Sequence, residues 1–295
     1  MEKPEFSCAI LSKLGLDDIA KVVKKAYHKE DGPGRPPRKP IGIFKALIVK
    51  RLQQIPSERE LCRRLWKDDN LREICDIETE QNPYHPSQLS RFKKRVGTRR
   101  LQRIMNRLLK ELLKRGVISG ETVVLDATFV KAYSRRDPHE TSRGKSDPEA
   151  RVGRNGKTYE LGYKLHVAAD AKSELPLAVI AASANENEKK HASALFRKAL
   201  KTTEQRTKTL VADSQFSSRK LREQLSTHGV KVVIPYPANQ SKEKKTLLRV
   251  DKYFRTHGPA GERQIYAQRG AIERVNSRLK GQLCLERHRP EASNV

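Results

Sequence analysis

Apolar residues recur through the first third of the chain at the three-and-four spacing of a helix. Residues 14–28, LGLDDIAKVVKKAYH, predict a short amphipathic helix with a basic face. In residues 28–40, HKEDGPGRPPRKP, Pro and Gly forbid a helix, so an extended basic linker is expected. From 41 to 116 the pattern is helical throughout. Ile41, Phe44, Leu47 and Ile48 share one face. Ser57-Glu-Arg-Glu60 is a capping box opening the next helix, with Leu61, Leu65 and Trp66 as its buried side. A short helix follows over 71–77, then one over 88–96 with Leu89 and Phe92 inward and Arg91, Lys93, Lys94 and Arg95 outward. Thr98 caps a fifth helix, which keeps its apolar spacing from Leu101 to Leu113 and stops at Gly116.

After Gly120 the pattern changes to strands. TVVLDATFV, residues 122–130, is β-branched and apolar on both faces, as a central strand should be. Asp126 stands in its middle and Thr128 shares its face by the two-residue period. Residues 131–160 are a long polar insertion, a loop length that is normally functional or disordered. Residues 163–171 and 175–182 predict two antiparallel strands, 188–201 a helix, and 208–212 a strand with Asp213 at its carboxyl end. Ser217 or Ser218 caps a helix running to His228, and 231–235 is the last strand. Residues 238–261 read as a basic, breaker-rich surface excursion. The stretch 264–281, QIYAQRGAIERVNSRLKG, predicts one continuous helix. Ile265, Ile272, Val275, Leu279 and Leu283 fall on its docking side; Tyr266, Arg269, Glu273 and Lys280 fall opposite.

Charge narrows the partner. With 62 Lys plus Arg against 35 Asp plus Glu, the net charge is +27, which points to a polyanion and first to nucleic acid. The longest nearly unbroken apolar run, 175–184, is far short of the roughly 20 residues of a membrane span, and the charged N-terminus lacks a signal-peptide core. An intracellular protein is expected. Cys8, Cys62, Cys75 and Cys284 form no Cys-x-x-Cys pair, so free thiols are expected rather than a zinc site.

Tyr266, two residues, Arg269, three residues, Glu273, six residues, Lys280: this spacing resembles the Tyr-Arg-Glu-Lys signature of DDE transposases of the insertion-sequence-4 type. PIGIFKALIVKRLQ, SERELCRRL and residues 87–95 resemble the helical domain fused to insertion-sequence transposases. The later element order, with GYKLH (162–166) similar to the family's second strand, resembles the ribonuclease-H-like fold of the retroviral integrase superfamily. The implied fold class is α+β: an N-terminal helical bundle followed by a ribonuclease-H-like mixed-sheet α/β catalytic domain. The expected divisions are 1–40 (helix and linker), 41–118 (helical DNA-binding domain) and 119–295 (catalytic domain).

The resemblance implies that Asp126, Asp213 and Glu273 are the catalytic acids and the ligands of two Mg²⁺ ions, with Mn²⁺ as substitute, Asp126 bridging both. Water attacks first, and the freed 3′-OH attacks later in strand transfer. Tyr266, Arg269, Lys280 and, more weakly, Lys164 are the implied DNA contacts. His166 reads as a satisfied strand histidine. Asp170, Glu186 and Glu188 are competing acids better read as caps of turns or helices. The implied partners are double-stranded DNA, as terminal inverted repeats and target, and a second copy of the chain on paired ends. The implied setting is the nucleoid of a prokaryotic cytoplasm, with no membrane. The alternatives are a catalytically weak DNA-binding relic or regulator of a mobile element, and a ribonuclease-H-like nuclease that never joins strands. Only 15 residues follow Lys280 (295 − 280), so the signature helix is expected to be under-supported at its C-terminal end, with Glu273 mobile and cleavage poor.

Overall fold

The computed structural model describes residues 9–11, 16–27, 39–77, 84–237 and 250–285. Most of the expected linker, Cys8 and residues 286–295 lie outside them. The chain divides into two compact units, residues 1–108 with 280–295, and residues 109–279.

The helical unit holds α1 (Leu16–Lys24), α2 (Pro40–Leu52), α3 (Glu58–Lys67), α4 (Asp69–Ile74) and the first part of α5 (Pro86–Lys114). Val23, Ala46, Val49, Leu61, Leu65, Leu89, Phe92 and Val96 form its core. Half of the capping box forms: Ser57 Oγ accepts from the Glu60 N–H at 3.0 Å. The Glu60 carboxylate turns instead to Arg63 and Arg64, at 2.7 and 2.9 Å. Trp66, expected inside, is 59% exposed, because Leu61 and Leu65, one turn apart, already fill the buried stripe. The break between the last two helices falls at Gly97, whose φ of 66° and ψ of 164° cost glycine little and other residues much.

The second unit is built on a mixed sheet: β1 (Thr122–Lys131), β2 (Arg151–Asn155), β3 (Thr158–Asp170), β4 (Pro176–Ser183), β5 (Thr209–Ala212) and β6 (Lys231–Val233). β1 is central, antiparallel to β3 and parallel to β5. β4 extends the antiparallel side through β3, and β6 extends the parallel side through β5. This strand arrangement is that of the ribonuclease-H-like fold. The helices are α6 (Glu188–Thr202), α7 (Arg219–Thr227), α8 (Val250–His257), α9 (Ala260–Ala267) and α10 (Gly270–Ser277).

The polar insertion after β1 is folded rather than loose. β2 pairs with the first residues of β3, bridges join Arg136 to Gly144 and Arg143 to Arg151, and the Tyr163 hydroxyl donates to Asp147 at 2.6 Å. Gly162 is required where β3 passes β1: a Cβ there would stand 2.3 Å from the Val130 carbonyl oxygen. Among the described residues no helix is long and apolar enough to cross a membrane.

Alternation along the strands separates two faces. Val124, Leu165, Val167, Ala169, Val211 and Val233 pack with Tyr266, Ala271, Ile272 and Val275 of α9 and α10. Asp126 follows Val124 on this face. Leu125 and Ala127 lie on the other, with Lys164 and His166, the partners of Phe129 and Ala127 in the β1–β3 ladder.

The continuous helix expected over 264–281 is not observed. It divides into α9, a turn at Gln268–Arg269, α10, and a π-helical turn at Arg278–Gln282. The division reorients Tyr266, which is fully buried, its ring edge-on to Phe254 with centroids 5.0 Å apart. The C-terminal half is better anchored than its length suggests. Arg274 Nε and Arg278 Nη2 bond the Glu174 carboxylate at 2.5 and 2.7 Å, and Leu279 packs on the apolar cluster. Leu283 does remain 41% exposed. Within the helical unit, the carbonyls of Leu283 and Gln282 accept from Arg51 and Gln54, each at 3.3 Å.

Candidate active site

The site begins with strand register. β1 and β5 run parallel, and their last registered pair is Leu125 with Ala212. One residue further stand Asp126 and Asp213, two carboxylates in step on neighbouring strands and on the face covered by α9 and α10. Asp213 ends its strand and caps the 3₁₀ turn Ser214–Phe216, accepting from the Gln215 N–H at 3.0 Å. Asp126 lies deeper, its side chain 16% exposed. Burial pushes its carboxyl up to about 6, against the opposing pull of the Arg269 guanidinium and hydrogen bonds from the Ala127 backbone and Asn276.

Glu273, on α10, is 57% exposed and faces cations. Arg269 Nη1 bonds its Oε1 at 3.2 Å and Arg255 Nη2 stands 3.8 Å from the same oxygen. Arg269 also reaches Asp126, with Nη2 3.9 Å from Oδ1. Its fork therefore links the first and third acids of the expected triad. Arg255 and Asn276 were not expected in the site. Arg255 sits in α8, within the stretch that reads as surface excursion, and no spacing signal marks it. Asn276 does carry a signal: it falls four residues after Ile272, a polar residue on the buried stripe of α10.

The remaining expected residues separate. Tyr266 is core rather than a surface for DNA. Arg255 stacks over its ring at 6.0 Å. Lys164 lies on the opposite sheet face, 17% exposed, and bonds Glu188 at 2.7 Å and the Glu186 carbonyl at 3.4 Å. His166 is buried but not satisfied: neither ring nitrogen has a hydrogen-bond partner, and the ring lies 4.7 Å from that of His191. Lys280 stands in the π-helical turn past the end of this unit. Among the competing acids, Asp170 does cap a turn, accepting from Ser173 and from the Gly120 N–H at 2.8 Å. Glu188 and Glu186 are ion-paired, to Lys164 and to Lys190.

The Asp126 and Asp213 carboxylates are hard oxygen donors that suit Mg²⁺ or Mn²⁺, and beside Asp126 the buried Asn276 Oδ1 accepts no hydrogen bond. Burying Asp126 without a full counter-charge is the electrostatic state that a bound cation relieves. Among the described residues no three His, Cys, Asp or Glu side chains converge closely enough to hold one ion together, because Glu273 is turned to the arginines.

Residues 3–95 match the family described as Transposase domain (DUF772). Among solved structures, piggyBac transposase in a synaptic complex with hairpin DNA is similar at 12% identity, over 94% of this chain and 68% of that one, with a TM-score of 0.46. The mariner Mos1 paired-end complex with Mg is similar at 14% identity, over 87% of this chain and 83% of that one, with a TM-score of 0.26. The family described as Transposase DDE domain matches residues 119–295, more than half of the sequence, and the chain belongs to that family.

Proposed function

We propose that Asp126, Asp213 and Glu273 are the three acids with which this DNA transposase cleaves and joins strands. The observation that carries the reading is the β1–β5 register, which sets Asp126 and Asp213 side by side under the helix that bears Glu273. On this reading Asp126, Asp213 and Glu273 are the residues that would hold the divalent ions. Bound Mg²⁺ or Mn²⁺ supplies Lewis-acid activation of the attacking oxygen and stabilisation of the leaving one. The chain's own residues do the rest. Arg269 presents a planar fork that suits the two oxygens of a phosphate. Arg255, half-exposed beside Glu273, is a further cation for the DNA backbone. Tyr266 fixes the α9–α10 turn from inside the core, and so fixes Arg269.

The Tyr-Arg-Glu-Lys spacing supports placement in the insertion-sequence-4 type, acting on terminal inverted repeats and target DNA as a homodimer on paired ends. The excess of Lys and Arg suits binding that weakens steeply with salt. The test is substitution of each acid. Asp126→Ala, Asp213→Ala and Glu273→Ala each reduce Mg²⁺-dependent nicking of end-bearing DNA to the no-protein level while band-shift affinity stays near wild type. Undiminished nicking by all three removes the assignment.

A further inference from the structure

Asn276 is the buried polar residue of α10 that the triad leaves unused. The residue is only 9% exposed, on a stripe otherwise made of Ala271, Ile272 and Val275. Burying an amide among apolar groups is costly unless it is bonded. Its Nδ2 donates to Asp126 Oδ2 at 2.8 Å, across 150 residues of sequence. The amide orientation is fixed by chemistry: an ionised carboxylate only accepts, so the NH₂ must face it. The Oδ1 that results is buried and has no hydrogen-bond partner. Asn276 thus holds one oxygen of Asp126, while the other, Oδ1, stands toward Arg269 at 3.9 Å.

We propose that Asn276 is a positioning residue for Asp126. Its amide holds Asp126 Oδ2, presents Oδ1 to the divalent cation, and ties the helix of Glu273 to the strand of Asp126. An amide suits the task better than Lys or Arg, because it donates without adding a positive charge that competes with the ion. It suits the task better than Asp or Glu, because it adds no repulsion beside a buried carboxylate. The residue is one helical turn past Glu273, so the same bond sets the spacing between the first and third acids. The inference rests on the assignment of Asp126 as a cation ligand.

The test is Mn²⁺ titration of the full chain, followed by electron paramagnetic resonance of the free ion, without DNA and without turnover. Asn276→Leu keeps the volume and removes the donor; Asn276→His restores an N–H at a similar distance from the backbone. Asn276→Leu is expected to weaken Mn²⁺ binding by roughly 10–100-fold, the usual range for a group that orients a metal ligand. Asn276→His recovers part of the loss, and the melting temperature in chelator stays within about 4 °C of wild type. Wild-type Mn²⁺ affinity in Asn276→Leu overturns the inference. So does a loss that Asn276→His leaves unchanged and that accompanies a large drop in melting temperature, since the residue is then only structural. Asp126→Ala and Asp213→Ala run in parallel separate the two levels: if they also bind Mn²⁺ like wild type, the underlying site assignment falls with it.

Discussion

Two faces of one sheet bury charge in opposite ways. On the face of α6, Lys164 and Glu188 neutralise each other at 2.7 Å, and His166 is enclosed without a hydrogen bond between His191 and the edge of Phe216. On the face of α9 and α10, Asp126 is also enclosed, but beside an amide, a guanidinium fork and a second carboxylate strand end. The first face pairs its charges within the fold, so little is left for a ligand. The second concentrates carboxylates around one guanidinium fork, Arg269 being 3.2 Å from Glu273 but 3.9 Å from the more deeply buried Asp126. The strands are the same; the alternation of side chains alone separates a face of internal ion pairs from the face that bears the proposed acids.

The sharpest break of that contrast is a pair of cation deletions. Arg269→Ala is expected to lower Mg²⁺-dependent nicking by roughly 10²–10³-fold, the effect of removing one preorganised donor. Lys164→Ala is expected to nick DNA at nearly the wild-type rate while losing thermal stability, because Glu188 is left buried alone. Equal losses of nicking in the two variants erase the functional distinction between the faces.

Next in size is the pH dependence of stability, measured by denaturant unfolding in chelator. Burial lowers His166 from 6.5 to about 4. The unfolded chain then takes up a proton that the folded chain refuses, and stability is lost as pH falls from about 6.5 to about 4, by on the order of 3 kcal/mol. Asp126 has the opposite sign. Its folded value is raised from 3.8 to about 6, so the penalty grows as pH rises across that interval and is complete above it. His166→Phe flattens the first slope; Asp126→Asn flattens the second and stabilises the protein at pH 7 by on the order of 3 kcal/mol. Unchanged curves for both variants mean that neither group is enclosed in solution.

The smallest expected effect concerns the closed face alone. Asn187 caps α6, accepting from the Lys189 N–H at 3.0 Å. Asn187→Ala is expected to cost about 1 kcal/mol in unfolding free energy with nicking unchanged. A loss of nicking there shows that α6 reaches the chemistry.

The strands and the two aspartates were legible because their signal is local. A run of β-branched residues can hardly be anything but a buried strand, and Asp126 interrupts it where only function or a partner repays the cost. Asp213 at a strand end is equally local. Failures came where the outcome depends on packing between distant segments. Every residue from Gln264 to Lys280 except Gly270 suits a helix, and Gln268, at the end of α9, and Arg269, before α10, both keep right-handed helical angles. The angular offset between α9 and α10 is therefore invisible in a 100° wheel, and with it the burial of Tyr266. Trp66 was assigned inward by its chemistry, though Leu61 and Leu65 had already filled the stripe. The insertion at 131–160 reads only as a long polar loop, because its order comes from pairing with β3 and from single polar contacts such as Tyr163 with Asp147. Arg255 enters the site only through the packing of α8 on α9, which composition does not encode.

The bond between Asn276 and Asp126 closes a loop of 150 residues, and it sets a clock. A chain leaving the ribosome can pair β1 with β3, and later β1 with β5, long before residue 276 emerges. During that time both aspartates are in place, but the helix of Glu273, its arginine fork and the amide latch do not yet exist. On the proposed assignment of Asp126 and Glu273, competence to cut DNA arrives late in synthesis, after the strands of the sheet have emerged. A chain that stops before α10 carries the sheet and most of the lysines and arginines, but not the third proposed acid.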